Sequence, residues 1–306
     1  MAEGALARGT LCALRTEISR LEGINGSALA RAAREDSWDG EETESPFIAT
    51  GAGRFDAALG GGILRSALHE IRSQATMDNG AASGFALALA RLALGSRTDA
   101  RILWISDPLA ATESGRPYGP GLAAHGLAPC ALIHAAPRHL QDALMIAEAA
   151  LAVRSFAAVI LEIYGNPQKF GLTESRRLHL RARAHRRPIL LLRERGDEEA
   201  SSAVNRFLVR PFPAAAAILP DGRSCESGLG HSVFHVTIEK SRNPALPEFL
   251  LEWNADDCLL ADHVPYGLAV PQKHAPEDPV ALVSLPADGQ DRAQPMGTVL
   301  VYQRAS

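Results

Sequence analysis

Between residues 67 and 193, short apolar runs alternate with longer segments of helical periodicity, and no other feature constrains the fold as much. The runs are Ala67–Ile71, Arg101–Ser106, Ala131–His134, Ala157–Ile163 and Pro188–Arg193. Several lack in–out alternation, as do strands of a parallel sheet covered on both faces. The segments Gly84–Leu94, Gly119–His125, Leu140–Val153 and Leu172–Arg186 read as helices between them. That order predicts an α/β fold with a mostly parallel sheet and right-handed crossovers. After residue 200 the pattern changes. Arg206–Arg210, Ala214–Leu219, Ser232–Lys240 and Glu248–Trp253 alternate and are separated by turn residues, which predicts antiparallel strands finishing the sheet.

The ends read differently. Residues 1–23 carry an amphipathic helix with Leu11, Leu14, Ile18 and Leu21 at three- and four-residue steps. That stripe faces either a partner or its own domain. Residues 24–50, rich in Gly, Ser, Glu and Asp, read as a linker before a core over 51–260. Residues 261–306, rich in Pro, Asp, Gln and Gly, read as a flexible tail.

The net charge of −4 gives no global attraction to nucleic acid, so any such contact needs a local basic patch. Lysine occurs only at 169, 240 and 273, and the remaining basic charge is Arg. Cys12, Cys130, Cys225 and Cys258 form no C-x-x-C and read as free thiols of a reducing compartment. The apolar stretch Ala143–Ile163 is interrupted by Glu148, Arg154 and Glu162, so it reads as a helix and a buried strand rather than a membrane span. The start of the chain lacks the apolar core of a signal peptide, and a cytoplasmic protein without membrane contact is expected. The histidines show no metal-ligand spacing, and no metal or catalytic residue is expected.

The chemistry concentrates around residues 54–86. Gly60, Gly61 and Gly62 close a short segment before the first strand. After that strand, Gly80-Ala81-Ala82-Ser83-Gly84 reads as a loop that opens an apolar helix at Phe85. A strand, a Gly-rich loop and a helix start form an anion-binding nest. A working phosphate loop also needs a Lys on the phosphates and a Ser/Thr on Mg²⁺. Phe85 and Ala86 stand at those positions on this reading, so a degenerate nucleotide site is expected at Gly80, Ser83, Gly84, Phe85 and Ala86. Glu162, at the end of its strand, either orients Mg²⁺ and water there or pairs with a nearby Arg.

Residues 54–71 and the segments after them resemble the core of RecA-type recombinases. Tyr118-Gly119-Pro120-Gly121-Leu122-Ala123-Ala124-His125-Gly126-Leu127 resembles a stretch of the ImuA family, RecA-like accessory proteins of damage-induced mutagenesis. The resemblance covers residues 50–255. It implies a RecA-like P-loop NTPase core with a mostly parallel sheet. The departures are specific. Gly80 to Gly84 falls one residue short of the phosphate-loop spacing, and the stretch after Ile71 is longer than the family pattern. Pro108, in Ser106-Asp107-Pro108-Leu109, stands where such recombinases carry a catalytic Glu. Lys240 and Arg242 match a basic pair that meets the neighbouring subunit's nucleotide in filaments. Gly196–Ser202 occupies the place of a DNA-binding loop but is acidic.

On a helix Arg176, Arg183 and Arg187 share one side and Arg177 neighbours Arg181, so these arginines either contact phosphate or DNA or are solvated and paired with carboxylates. The resemblance implies a non-catalytic adaptor in SOS-induced translesion synthesis. Its expected partners are an ImuB-like Y-family polymerase homologue, an error-prone replicative-type polymerase complex and RecA. No cofactor is expected, with ATP binding without hydrolysis left open. Three alternatives stand: an ATPase with an atypical loop and a borrowed Lys240, a SulA-type cell-division inhibitor, and a DNA-binding adaptor.

Overall fold

The structure, a computed structural model, describes residues 45–214, 216–218, 224–242 and 248–263. The expected helix over 1–23, with Leu11, Leu14, Ile18 and Leu21, lies outside the described residues, as do most of the expected linker and tail. The chain divides after Val264, and the second part, 265–306, is likewise outside them.

The described chain opens with β1 (Phe47–Ile48), α1 (Gly53–Ala58) and β2 (Ile63–Leu64). β1 and β2 pair antiparallel, Phe47 opposite Leu64. A strand therefore stands within the stretch expected to be linker. Gly62 makes the close approach feasible. Its φ is +116°, and a Cβ there would sit 2.3 Å from the Ile48 carbonyl oxygen.

Next come β3 (Leu68–Arg72), a 3₁₀ turn at Thr76–Asp78, α2 (Asn79–Leu94) and β4 (Arg101–Ser106). The short helices α3 (Pro108–Glu113) and α4 (Gly119–Ala124) lead to β5 (Leu132–Ala135). Then follow α5 (Leu140–Leu151), β6 (Phe156–Tyr164), α6 (Leu172–His185) and β7 (Ile189–Glu194). The chain continues with β8 (Asn205–Phe212) and the hairpin β9 (Ala216–Ile218) and β10 (Ser224–Leu229). It ends with β11 (Ser232–Lys240), β12 (Glu248–Asn254) and β13 (Leu259–Asp262). β13 extends the core past residue 260, because Asp262 accepts the Arg54 N–H and Leu260 N–H donates to Thr50.

The main sheet runs β13-β12-β11-β8-β3-β7-β6-β4-β5. β8, β3, β7, β6, β4 and β5 pair in parallel, and β11, β12 and β13 add an antiparallel edge. The mostly parallel sheet with flanking helices and an antiparallel extension agrees with the expected α/β class. The two-residue strand period divides the core. Ala158 and Ile160 of β6 join α2 on one face, while Val159, Leu161 and Ile163 join α5 and α6 on the other. α2 is buried nearly all round, as its apolar sequence requires. Its alanines let it lie close to the sheet. Phe85 meets Phe55, Phe207 and Phe234 at ring separations of 6.3, 5.8 and 5.7 Å.

Candidate functional site at the carboxyl ends of the parallel strands

Open parallel sheets offer their ligand crevice at the carboxyl ends of the strands. The loop from β3 to α2 begins this edge. It runs from Ser73 to Asp78, and α2 starts at Asn79 rather than Phe85. The expected Gly80–Gly84 loop is therefore helical. Phe85 and Ala86 lie fully inside the core and line no loop, and Gly84 packs against Phe234. The structural register is Ser73-Gln74-Ala75-Thr76-Met77-Asp78-Asn79-Gly80. It has the spacing G-x-x-x-x-G-K-[ST], with Ser73, Asp78, Asn79 and Gly80 at the four defining positions. Only the six residues Ser73–Asp78 separate β3 from α2, so the stretch expected to be long after Ile71 is mostly helix.

The loop is closed on itself. Asp78 Oδ2 accepts the Ala75 N–H at 3.2 Å. Ser73 N–H donates to the Arg193 carbonyl, and Ser73 Oγ donates to Asn79 Oδ1 at 2.6 Å while accepting Arg195 N–H. Gln74 accepts from Arg210. Asp78 thus brings a buried carboxylate to the helix start, where a nest would receive an anion.

Beside this loop, β4, β6 and β7 end in polar residues on the α2 face. Register aligns Ser106 with Glu162. Glu194 lies one alternation beyond Leu190 and Leu192, both packed on the α2 side. Glu162 Oε2 accepts from Trp104 Nε1 at 2.9 Å and from Ser106 Oγ. The Ser106 proton is thereby used, so His134 Nε2–H, 2.9 Å away, donates to Ser106 Oγ. His134 is held below the usual imidazole range by burial and by Arg116. The carboxylate meets the serine rather than the histidine, so this is no nucleophilic relay.

Glu162 and Glu194 are both held above the usual carboxylate range. Burial raises the Glu162 carboxyl, against hydrogen bonds from Ser106 and Trp104. Burial also pushes Glu194 up to about 7, against a hydrogen bond from Ser114 and helped by the charges of Glu162 and Asp107. Glu194 Oε1 is buried and has no hydrogen-bond partner among the described residues. Asp107 is occupied structurally. It caps α3 by accepting Ala110 N–H at 2.7 Å, and it also accepts Tyr164 N–H. Pro108 is simply the first residue of α3.

On the opposite face β3, β7 and the start of β8 carry an ionic cluster. Glu70 pairs with Arg193 at 3.2 Å and Arg206 at 3.0 Å, and it accepts from Ser201 Oγ. Glu198 pairs with Arg206 and Glu199 with Arg193, so the acidic 196–202 loop is fastened to buried arginines of its own chain. Arg72 pairs with Glu239 and donates to the Gly196 carbonyl. Lys240 Nζ donates to the Ser201 carbonyl at 2.7 Å within the chain, while Arg242 is exposed.

The four arginines expected to contact phosphate or DNA have different surroundings. Arg177 pairs with Glu148 of α5. Arg176 and Arg183 are exposed on α6. Arg187 lies beyond the helix, which ends at the left-handed residue Arg186. Sequence reasoning missed Glu70, Arg193, Arg206 and Glu194. The strand alternation signalled their faces, but only strand order could bring them together. Among the described residues, no group of three or more His, Cys, Asp or Glu has metal-holding geometry. Nor is any helix among them long and apolar enough to cross a membrane.

No protein-family model matches the sequence, and no curated protein matches it. Among solved structures the chain is similar to the one described as the crystal structure of the RadB recombinase. The match has 14% identity and a TM-score of 0.47, over 71% of this chain and 100% of that chain. A likeness of that degree carries no statement about nucleotide, DNA or partners.

Proposed function

We propose that the chain is a non-catalytic RecA-like accessory factor of the ImuA type that acts through protein–protein contacts in damage-induced translesion synthesis. The observation that carries the non-catalytic reading is the β3–α2 loop. It has phosphate-loop spacing but brings Asp78 and Asn79 to the last Gly and the Lys positions, and the Asp78 carboxylate occupies the Ala75 N–H. A triphosphate approaching this loop meets a fixed negative charge where it needs a fixed positive one. The ImuA assignment is supported by the resemblance of Tyr118–Leu127 and by the mostly parallel sheet that the resemblance implies. Its partners on this reading are an ImuB-like polymerase homologue, an error-prone replicative-type polymerase and RecA, engaged through Leu11, Leu14, Ile18 and Leu21.

Two experiments test the reading. The first is titration with a fluorescent ATP analogue and Mg²⁺, followed by turnover on the same sample. Neither binding nor turnover is expected, and turnover that depends on Glu162 overturns the non-catalytic assignment. The second is capture of an ImuB-like partner by wild type and by L14D/I18D. Loss of capture by the folded variant is expected. Capture of the tubulin-like division protein instead replaces this reading with the SulA-type one.

A further inference from the structure

The edge of the sheet opposite the candidate site carries a row of arginines. Arg97 lies in the connection from α2 to β4 and Arg101 opens β4, while Arg154 lies in the connection from α5 to β6 and Arg187 in that from α6 to β7. β4, β6 and β7 are neighbours, so these connections arrive side by side about 5 Å apart. Three of the four guanidinium groups are held by backbone carbonyls. Arg97 donates to Arg154 O at 3.2 Å, Arg187 to Leu151 O at 2.7 Å, and Arg101 to Ala100 O and Thr98 O at 2.8 and 2.9 Å. Among the described residues none of the four has a carboxylate partner. Asp99, exposed in the same connection, forms no ion pair there. Arg187 feels the positive charges of Arg97 and Arg154 directly. The row is therefore a concentration of like charge held in place by fixed oxygens.

The described chain enters at the same edge. Ser45 O accepts from Arg65 Nε and Pro46 O from Arg65 N–H, two residues before Ala67. Ala67 O accepts Ile189 N–H, two residues after Arg187. The ten residues before Ser45, 35–44, carry six carboxylates (Glu35, Asp36, Asp39, Glu41, Glu42 and Glu44) and no Lys or Arg. Fully extended, ten residues reach about 33 Å, enough to lie along the row.

We propose that the Arg97–Arg101–Arg154–Arg187 row is the docking surface of the chain's own acidic segment 35–44. Tethering gives that segment an effective concentration of order millimolar, so an outside polyanion must displace it to reach the row. The net charge of −4 and the absence of aromatic residues from the row favour the acidic peptide over a nucleic acid strand.

Trp38, inside the segment, supplies the probe. The other tryptophans, Trp104 and Trp253, are buried at 5% and 2% exposure and resist a neutral quencher. In the full chain, acrylamide quenching of Trp38 is expected to be weak at low ionic strength and to rise about threefold or more at ~0.5 M salt. In R97Q/R101Q/R154Q/R187Q it should be strong at every salt, with Trp104 and Trp253 still protected as proof of folding. If that variant fails to fold, E35Q/D36N/D39N/E41Q/E42Q/E44Q, which changes none of the described residues, should show the same loss of salt dependence. Quenching that is strong in the wild type at low salt, or salt-dependent quenching that persists in the variants, overturns the proposal. So does a duplex oligonucleotide that binds the row without changing Trp38 quenching, which would make the row an external anion site.

Discussion

Glu70 on β3 and Arg193 on β7 form an ion pair at 3.2 Å in which neither side chain meets solvent, with 0% and 1% exposure. Glu70 faces a second buried guanidinium at Arg206, and Arg193 stacks on Phe170 with 5.3 Å to the ring centroid. The arrangement fastens β3, β7, β8 and the 196–202 loop to one carboxylate.

Removing that carboxylate leaves two buried cations without their shared partner. E70Q should cost about 3–5 kcal/mol of stability, read as a lower midpoint in urea unfolding. The exposed pair Arg177–Glu148 is the control, and R177Q should leave the urea midpoint nearly unchanged.

The helix start is tested by charge placement. F85K buries an ammonium among Phe55, Phe207 and Phe234 and should cost more than about 4 kcal/mol or prevent folding. D78G/N79K/G80T changes the loop end instead and should fold. It should gain affinity for the ATP analogue that the wild type lacks. Folding of F85K as stably as wild type would place the helix start elsewhere.

Glu194 gives a pH signature with a fixed sign. Its carboxyl is raised from 4.5 to about 7 in the folded protein, so the native state holds a proton that the unfolded chain releases. Its stabilising contribution is present in full below about 4.5 and is lost as pH rises through about 7. E194Q carries a permanent N–H donor in place of that proton. The stability difference between wild type and E194Q should therefore shift in favour of the variant between pH 5 and 8, measured by thermal unfolding. Buried His69 and His125, both lowered to about 4, titrate in both proteins and cancel. A difference independent of pH would show that Glu194 holds no proton.

Gly62 tests the β1–β2 pairing. With φ at +116° and the Ile48 carbonyl in the way, G62A should cost more than about 1 kcal/mol. G53A, where a Cβ meets nothing within 4 Å, should leave stability unchanged or slightly improved.

Most of the longer strands and helices were legible in the chain because their signal is local, whereas short elements such as Pro108–Glu113 and Leu259–Asp262 were not. The apolar run Arg101–Ser106 and the alternating run Ser232–Lys240 are strands with those bounds. The start of α2 was not legible. Gly80, Ser83 and Gly84 favour loop by propensity, Gly by about 1 kcal/mol against Ala. Burial of Ala82, Phe85 and Ala86 on the sheet outweighs that preference. A helix start at Phe85 puts the phosphate-loop positions on core residues, whereas the start at Asn79 puts Asp78 in the loop.

Sequence periodicity by itself determined that this chain builds a mostly parallel sheet between helices, since alternation and helical spacing depend only on neighbours a few residues away. Tertiary structure alone decided which strand ends meet. Glu194 stands against Glu162, and Glu70 against Arg193 and Arg206, because β7 inserts between β3 and β6. Strand order reflects how whole apolar faces are covered, a long-range balance that no local stretch of residues encodes.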